Sequence, residues 1–180
     1  MSTVYVGIDN GASGTMGVIY SIGDYKFVKT PVKNCLHWTK EEQHVNRIDY
    51  PKFKKMLAHA KKKSKGRLKV FMERPHSNGK QYKASISGAR SGEAMLIALE
   101  ELDIPYEIIS SGDWQKPMFP SVNTKRRTEK NKGKRKTRTD KQTKILSLEV
   151  GNKLFPKYKE FKHPDRDGLL IAEWARRNKL

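Results

Sequence analysis

The stretch TVYVGIDNG at residues 3–11 decides how this chain folds. Val4, Val6 and Ile8 alternate with other residues in it, which is the period of a β-strand with one buried face. Asn10-Gly11 then favours a turn, and the largely apolar residues 14–20 predict a second strand. We therefore expect a β-hairpin whose first strand ends on an acidic residue, Asp9.

Strand and helix periodicity alternate along the rest of the chain. Apolar alternation predicts further strands at 26–32, 67–73 and 106–109. Apolar residues at helical spacing predict helices after the Asp49 cap and at about 84–102, 140–155 and 165–177. This order of elements predicts an α/β protein with a mixed sheet, led by an antiparallel meander.

Length and composition limit the classes of protein. A chain of 180 residues is expected to form one domain, 1–180, and its 38 Lys and Arg against 19 Asp and Glu leave a net charge of +19. Such an excess favours polyanionic partners. The single cysteine, Cys35, excludes an internal disulfide framework and a four-cysteine zinc site. With no long apolar run and no signal-peptide pattern, we expect a soluble cytoplasmic protein without a membrane partner.

The positive charge is concentrated in one segment. Ten basic and two acidic residues lie between Ser121 and Lys141, with Val122 as the one apolar residue. This composition cannot bury enough surface to offset the entropy of ordering, so we predict a basic, mobile insertion at about 121–139. A solvated charge run is the alternative, but this density favours contact with phosphates. The residues predicted to bind DNA there are Lys125, Arg126, Arg127, Lys134, Arg135 and Lys136.

Four acidic residues stand at the ends of predicted elements. Asp9 and Glu73 each end an apolar strand, and Asp165 and Asp167 open a helix. In open α/β sheets such positions meet at one edge, and carboxylates gathered there repel one another unless a cation lies between them. Oxygen ligands of this kind suit Mg²⁺ or Mn²⁺. In a basic protein, the pattern predicts metal-assisted attack of water on a phosphodiester.

Each acid also has an ordinary structural explanation. Asp9 is a good turn former, and Glu73 suits an exposed strand end. Asp165 suits a helix cap, and Asp167 suits the positive end of a helix dipole. Their occurrence together, in this order of elements and in so basic a chain, favours a metal site.

Several segments of the sequence resemble motifs of the RuvC-like Holliday junction resolvases, a family of the RNase H-like superfamily. The matching segments are 4–11 with 14–19, 70–75, 87–92 and 167–172. Segments 112–116, 147–149 and 154–156 are similar to the bacteriophage branch of that family. The resemblance covers nearly the whole chain except 31–48 and the basic insertion.

This resemblance implies an RNase H-like fold, with a five-stranded mixed sheet of order 3-2-1-4-5 and helices on both faces. It implies a homodimeric crossover junction endodeoxyribonuclease that cuts four-way DNA junctions by paired symmetric nicks. Such a protein works in recombination and repair without a small-molecule cofactor. A bacteriophage member would act in the cytoplasm of the bacterial host.

The resemblance also carries over a set of metal ligands. Asp9, Glu73 and Asp167 correspond to ligands of two Mg²⁺ ions, for which Mn²⁺ should substitute. The family usually has an acid or histidine three residues before the last aspartate, where this chain has a proline flanked by His163 and Asp165. We favour Asp165 as the fourth ligand, because a carboxylate there can turn back from the helix start, with His163 as the alternative.

Several further residues are predicted to contact DNA. His76 stands where bacterial members carry an aromatic wedge, although imidazole is a smaller stacking platform. Lys80, Lys83 and Arg90 are expected to hold phosphates, with a surface solubility role as the alternative. Lys116 is expected to approach the scissile phosphate, beside a tryptophan that is better explained as a core or loop anchor.

Three other functions compete with junction resolution. A related nuclease of flaps, forks or RNA–DNA hybrids would share the same sheet and acids. A non-catalytic protein would bind nucleic acid through the basic insertion alone. A sugar-kinase or actin-like phosphotransferase is excluded, because it needs two such domains around a nucleotide cleft.

Overall fold

The computed structural model describes residues 3–36, 44–75, 82–119 and 140–180, apart from the side chains of residues 140 and 141. In chain order the strands are β1 Val4–Ile8, β2 Thr15–Ser21, β3 Asp24–Lys29, β4 Val32–Leu36, β5 His44–Ile48, β6 Leu68–Glu73 and β7 Tyr106–Ile109. The helices are α1 Tyr50–Ser64, α2 Tyr82–Glu101, α3 Ser111–Met118, α4 Asp140–Leu154 and α5 Asp167–Arg177, with a 3₁₀ turn at Pro156–Tyr158.

Five strands form a mixed central sheet in the order β3-β2-β1-β6-β7. β1 pairs antiparallel with β2 and parallel with β6, which in turn pairs parallel with β7. Because β4 and β5 form a separate hairpin, this order is the predicted 3-2-1-4-5. The predicted fold class, a mixed five-stranded sheet between two layers of helices, is confirmed.

Side-chain alternation on the strands builds one core on each face of the sheet. Val6, Val18 and Val70 face the core that includes Phe53 of α1 and Leu99 of α2. The opposite core is formed with α3, α4 and α5 and is rich in aromatic side chains. The sheet is therefore covered on both faces, which explains the long apolar stretches in β1, β2 and β6.

Three parts of the fold differ from the sequence-based prediction: the end of the third strand, the β4–β5 hairpin and the helix α3. The third strand ends at Lys29 rather than at residue 32, and the chain continues into the β4–β5 hairpin. Pro31 cannot donate a backbone hydrogen bond, which accounts for the break. The hairpin is largely exposed, so it carries no apolar alternation to reveal it. The short helix α3 was also not predicted, although the Asp113 carboxylate accepts a hydrogen bond from the Ser110 amide, as a helix N-terminus requires.

Part of the predicted DNA-binding set lies outside the described residues. This holds for the basic insertion at about 121–139 and for His76, Lys80, Lys125, Arg126, Arg127, Lys134, Arg135 and Lys136. Among the helices of the described ranges, none is long and apolar enough to cross a membrane.

Candidate metal centre

Strand register brings Asp9 and Glu73 to the same face and the same edge of the sheet. Ile8 of β1 is paired with Met72 of β6, and both side chains lie in the core with α1 and α2. The next residue on each strand, Asp9 and Glu73, therefore falls on the opposite face, the one that α5 covers. Because these strands are parallel, both acids stand at their carboxyl ends.

Glycines let α5 approach that edge closely. A Cβ atom on Gly7 would lie 2.3 Å from the carbonyl oxygen of Gly168, and one on Gly17 would lie 2.4 Å from the amide nitrogen of Leu169. Only residues without a side chain permit this distance. Thr15 fixes the approach, since its Oγ1 accepts a 3.1 Å hydrogen bond from the Gly168 amide. The start of α5 is thereby held against β1 and β2.

Three carboxylates meet at this contact. One oxygen each of Asp9, Asp165 and Asp167 lies within 4.8 Å of the other two. The structure thus brings together three of the four acids named from the sequence, and their role as metal ligands stays a prediction. We call these three residues the acidic cluster.

Burial and mutual repulsion disfavour the charged forms of the cluster. Burial, followed by the charges of Asp167, Asp165 and Glu73, raises the pKa of Asp9 well above its ordinary 3.8. Burial and the charge of Asp165 raise the pKa of Asp167 to about 7. A divalent cation would relieve both effects, and carboxylate oxygens are the ligands that Mg²⁺ and Mn²⁺ prefer. The residues present therefore fit the predicted metal.

Glu73 lies at the border of the cluster rather than within it. Its Oε2 accepts a 2.9 Å hydrogen bond from the indole nitrogen of Trp114, which is completely buried. Its charge nevertheless raises the pKa of both Asp9 and Asp167. Trp114 is thus a core anchor, as the sequence indicated, and it also fixes the orientation of a predicted ligand.

A carboxylate oxygen of Asp165 belongs to the acidic cluster, whereas the ring of His163 contacts the Asp165 side chain. His163 Nδ1 lies 3.2 Å from Asp165 Oδ1, and Nε2 lies 3.2 Å from the carbonyl oxygen of Ser13. Both ring nitrogens face acceptors, which favours the doubly protonated ring. Burial lowers the pKa of His163, but the hydrogen bond and charge of Asp165 outweigh it and leave the pKa above 6.5. Of the two candidates for the fourth ligand, Asp165 is the one whose oxygen lies in the acidic cluster, and its role as a ligand stays a prediction.

A buried arginine shapes the segment that carries Asp165. The Arg166 guanidinium is inaccessible to solvent and donates hydrogen bonds of 2.8–3.1 Å to the carbonyl oxygens of Tyr158, Phe161, His163 and Asp165. It thereby closes the loop between the 3₁₀ turn and α5. Asp165 precedes the helix by two residues, so it is not the helix cap that one reading of the sequence suggested.

Helix α4 supplies two groups that sequence reasoning missed. The buried Ser147 hydroxyl donates a hydrogen bond to Asp167 Oδ1 and accepts one of 2.9 Å from the Arg166 amide. One turn earlier, the positive charge of Lys144 lowers the pKa of Asp9 and Asp167, against the effect of burial. A small hydroxyl and an ordinary helical lysine carry no sequence signal of such roles.

The predicted DNA-binding residues that the structure describes are all exposed. Lys83 and Arg90 lie on α2, and Lys116 lies on α3, two residues after the tryptophan that contacts Glu73. Their contact with DNA stays a prediction.

Comparison with known proteins finds similarity in structure but not in sequence. No protein-family model and no curated protein matches the sequence. The structure is similar to that of Thermus thermophilus RuvC in complex with a Holliday junction substrate, with a TM-score of 0.55, 14% identity, and coverage of 98% of this chain and 96% of that one. A second Thermus thermophilus RuvC structure gives a TM-score of 0.50, 16% identity, and coverage of 98% and 97%. The chain therefore has the RuvC fold, an RNase H-like architecture.

Proposed function

We propose that this chain is a metal-dependent endonuclease related to the RuvC resolvases, which cuts four-way and other branched DNA junctions. The observation that carries the proposal is the convergence of Asp9, Asp165 and Asp167 where α5 meets the carboxyl end of β1. The chain has a net charge of +19, which attracts a polyanionic substrate, and an acidic cluster in so basic a chain suits a substrate that is cut rather than merely bound. The RuvC fold supports the same assignment.

The acidic cluster and Glu73 are the residues that would hold two Mg²⁺ ions, with Mn²⁺ as a substitute. When bound, such ions stabilise charge on the phosphate and make water a stronger nucleophile at neutral pH. The protein fixes the ligands before the substrate arrives: Ser147 hydrogen-bonds Asp167, and Trp114 hydrogen-bonds Glu73. This arrangement lowers the reorganisation needed for catalysis.

Asp165 is assigned the second task of orienting the attacking water. Its Oδ1 already contacts His163, which holds the carboxylate in one direction. Burial raises the pKa values of Asp9 and Asp167, and a cation between them would favour their charged forms. Asp9 and Asp167 would therefore serve as metal ligands, and Asp165, which contacts the His163 ring, would orient the water.

Paired nicking requires two copies of the chain, so we propose a homodimer that cuts opposed strands symmetrically. Lys83, Arg90 and Lys116 would hold phosphates of the junction arms together with the basic insertion. Contacts of this kind position the substrate without reading its sequence. Junction binding should accordingly weaken steeply as the salt concentration rises.

The test compares cleavage of a four-way junction, a flap and an RNA–DNA hybrid in Mg²⁺, Mn²⁺, Ca²⁺ and EDTA. We expect paired nicks in the junction, supported by Mg²⁺ or Mn²⁺, poorly by Ca²⁺ and not in EDTA. Asp9→Asn should abolish cleavage and keep junction binding, whereas the exposed Glu107→Gln on β7 should behave as the wild type. The last variant is the matched control for loss of one acidic charge.

Each alternative function predicts a different result. Equal cutting of all three substrates would replace junction resolution by a general RNase H-like nuclease activity. Binding without cleavage by the wild-type protein would leave a non-catalytic nucleic-acid-binding protein. Cleavage that persists in EDTA or in Asp9→Asn would contradict the carboxylate mechanism.

A further inference from the structure

The edge of the sheet opposite the acidic cluster carries a dense group of cations. Helix α1 ends and strand β6 begins at this edge, and six exposed basic residues stand within nine positions there: Lys61, Lys62, Lys63, Lys65, Arg67 and Lys69. No acidic residue occurs in the sequence between Tyr50 and Met72. We call the six basic residues the basic patch.

Two further helices end beside the basic patch. Helix α5 begins at the acidic cluster, and near its other end Trp174 packs on Phe71 of β6, which stands two positions after Lys69, at a ring distance of 5.9 Å. Helix α2 ends beside α1, where Lys61 Nζ donates a 2.5 Å hydrogen bond to the carbonyl oxygen of Leu102. Three helices therefore place their carboxyl ends at this edge of the sheet.

Interaction with helix ends explains only part of this charge. The carboxyl end of a helix carries roughly −0.5 elementary charge, so three such ends offset only about one and a half positive charges. Lys61 is accounted for in this way, and Lys63 Nζ lies 4.8 Å from the ring centre of Tyr20. The acids on the neighbouring helix ends are already paired: Glu101 with Lys54, and Glu173 with Arg176 and Arg177. Most of the positive charge of the basic patch is therefore not neutralised by the residues that the structure describes.

Lys62, Lys65 and Lys69 have no side-chain partner within the described ranges of the chain. Lys65 also has a left-handed backbone conformation, φ 49° and ψ 41°, at the end of α1. Glycine or asparagine adopts this conformation at a helix end more readily than lysine does. Since no contact in the described part of the protein compensates for it, a role in binding accounts for a lysine at this position.

Duplex DNA is the polyanion that this arrangement fits best. A duplex carries one negative charge for about every 1.7 Å of its axis, so several exposed cations on one surface can each reach a phosphate. Lysines hold phosphates without reading the base sequence. The basic patch is therefore suited to any duplex segment, branched or unbranched.

The basic patch and the acidic cluster lie at opposite ends of the sheet. Strand β6 runs from Leu68 to Glu73, and at about 3.3 Å per residue its two ends are about 17 Å apart. Duplex DNA is stiff over about 150 base pairs, so a segment that lies across one end of the sheet does not bend round to the other end. DNA bound at the basic patch is therefore a different segment from DNA at the acidic cluster.

We propose that the basic patch binds a second DNA duplex while the first lies at the acidic cluster, through contacts of Lys62, Lys65 and Lys69 with backbone phosphates. The chain then bridges two duplexes, one at each end of its sheet. The position of the first duplex rests on the proposed function, whereas binding at the basic patch needs neither metal nor cleavage.

The test measures the binding of a second duplex to a complex that already holds the first. A four-way junction is fixed on a surface, saturated with the protein in Ca²⁺, washed, and exposed to a labelled unbranched duplex. We expect the wild type to retain this duplex. Its affinity should fall about fortyfold when the salt concentration rises fourfold, as three phosphate contacts predict.

Two double variants of equal charge locate the surface that holds the second duplex. Lys65→Gln/Lys69→Gln should bind it more weakly, and its affinity should fall only about fourfold over the same range of salt, because one contact remains. The matched control is Lys52→Gln/Lys54→Gln, which removes two lysines that are paired with acids at the start of α1. The control should keep the wild-type affinity and salt dependence.

Two outcomes would overturn the proposal. Wild-type affinity of Lys65→Gln/Lys69→Gln for the second duplex would mean that another surface holds it. A wild-type complex that retains no second duplex would leave the basic patch to an acidic protein or to solvent. Neither readout involves cleavage, so a wild type that binds junctions without cutting them would contradict the proposed function alone. If the junction is not bound, the proposed function fails, and the same measurement is made with an unbranched duplex fixed on the surface.

Discussion

The indole nitrogen of Trp114 lies 2.9 Å from Glu73 Oε2, so a completely buried ring holds a carboxylate at the border of the acidic cluster. The two residues are 41 positions apart in the sequence, and they meet because Trp114 lies on helix α3. Because the ring also packs edge-on against Phe119 at 5.5 Å, its position is fixed by the core rather than by the site. The packing of Trp114 in this core therefore determines the orientation of the Glu73 carboxylate.

Trp114→Phe should separate the contribution of the Trp114 ring to core packing from that of its hydrogen bond to Glu73. The variant keeps an aromatic ring in the core but loses the hydrogen bond to Glu73, at a cost of about 2–3 kcal/mol in the free energy of unfolding. We expect the Mg²⁺ concentration for half-maximal cleavage to rise about tenfold, as it does when a supporting hydrogen bond to a ligand is lost. Chemical denaturation and metal titration of cleavage measure the two effects.

Trp174→Phe is the matched control for that experiment. Trp174 packs edge-on against Phe71 at 5.9 Å, in the same core, and no hydrogen bond joins its ring to a described carboxylate. It should lose stability without any change in the Mg²⁺ requirement. An equal shift in both variants would mean that core packing, not the hydrogen bond to Glu73, sets metal affinity.

Ser147→Ala should weaken metal binding while junction binding is preserved. The substitution removes the hydroxyl that donates to Asp167 Oδ1 and accepts from the Arg166 amide, and it introduces no bulk into a fully buried position. We expect a rise of about tenfold or more in the Mg²⁺ concentration for half-maximal cleavage. Ser21→Ala, at the exposed end of β2, should leave it unchanged. An unaltered Mg²⁺ requirement in Ser147→Ala would show that Asp167 needs no support from α4.

The raised pKa of Asp167 predicts how the stability of the metal-free protein changes with pH. Folding raises this pKa from 3.8 to about 7, so the folded state binds more protons than the unfolded state between these values. The contribution of Asp167 to stability is therefore present at low pH and is lost as the pH rises through about 7. Asp167→Asn cannot titrate, so it should gain stability relative to the wild type between pH 5 and pH 8.

Thermal unfolding in EDTA at both pH values measures that gain. The difference in melting temperature should change by at least about 3 °C, which corresponds to roughly 1 kcal/mol in a chain of this size. Mg²⁺ should stabilise the wild type more at pH 8 than at pH 5, because protons and cations compete for the same oxygens. Glu107→Gln should follow the wild type at both pH values. A constant difference between Asp167→Asn and the wild type would exclude the raised pKa.

Local periodicity accounts for what the sequence could predict. Alternation in β1 and β6 assigns Asp9 and Glu73 to the face opposite the buried valines, and helical spacing locates Asp167 at the start of the last helix. The partners of these acids depend instead on contacts across the fold. Trp114 meets Glu73 from a helix that the sequence did not reveal, and Ser147 meets Asp167 from 20 residues away. The family resemblance included the segments of both residues, 112–116 and 147–149, but nothing in those segments predicts which acid each side chain contacts.

Arg166 is the clearest example of a residue whose contacts could not be predicted from the sequence. A single arginine beside two aspartates is expected on the surface or in an ion pair, since arginine is almost never fully buried without a partner. Here its guanidinium donates to four backbone carbonyls, and it stacks 5.5 Å from the ring of Phe27. The four carbonyl groups surround the guanidinium only in the folded chain, so this role of Arg166 is visible only in the structure.

Arg166→Lys should therefore be costly even though the charge is retained. A lysine ammonium has three donors and no planar fork, so it cannot bind four carbonyls that lie around a guanidinium. Each hydrogen bond from a charged donor that is lost inside the protein weakens folding, and we expect a total loss of about 2–4 kcal/mol in chemical denaturation. Arg177→Lys is the matched control, because Arg177 is exposed and pairs with Glu173 at the protein surface, so it should lose less than about 1 kcal/mol. Since the loop that Arg166 closes carries Asp165, Arg166→Lys should also lose cleavage more than junction binding. If both variants unfold alike, the four carbonyl contacts do not stabilise the fold, and if Arg166→Lys cleaves like the wild type, they are not needed to position Asp165.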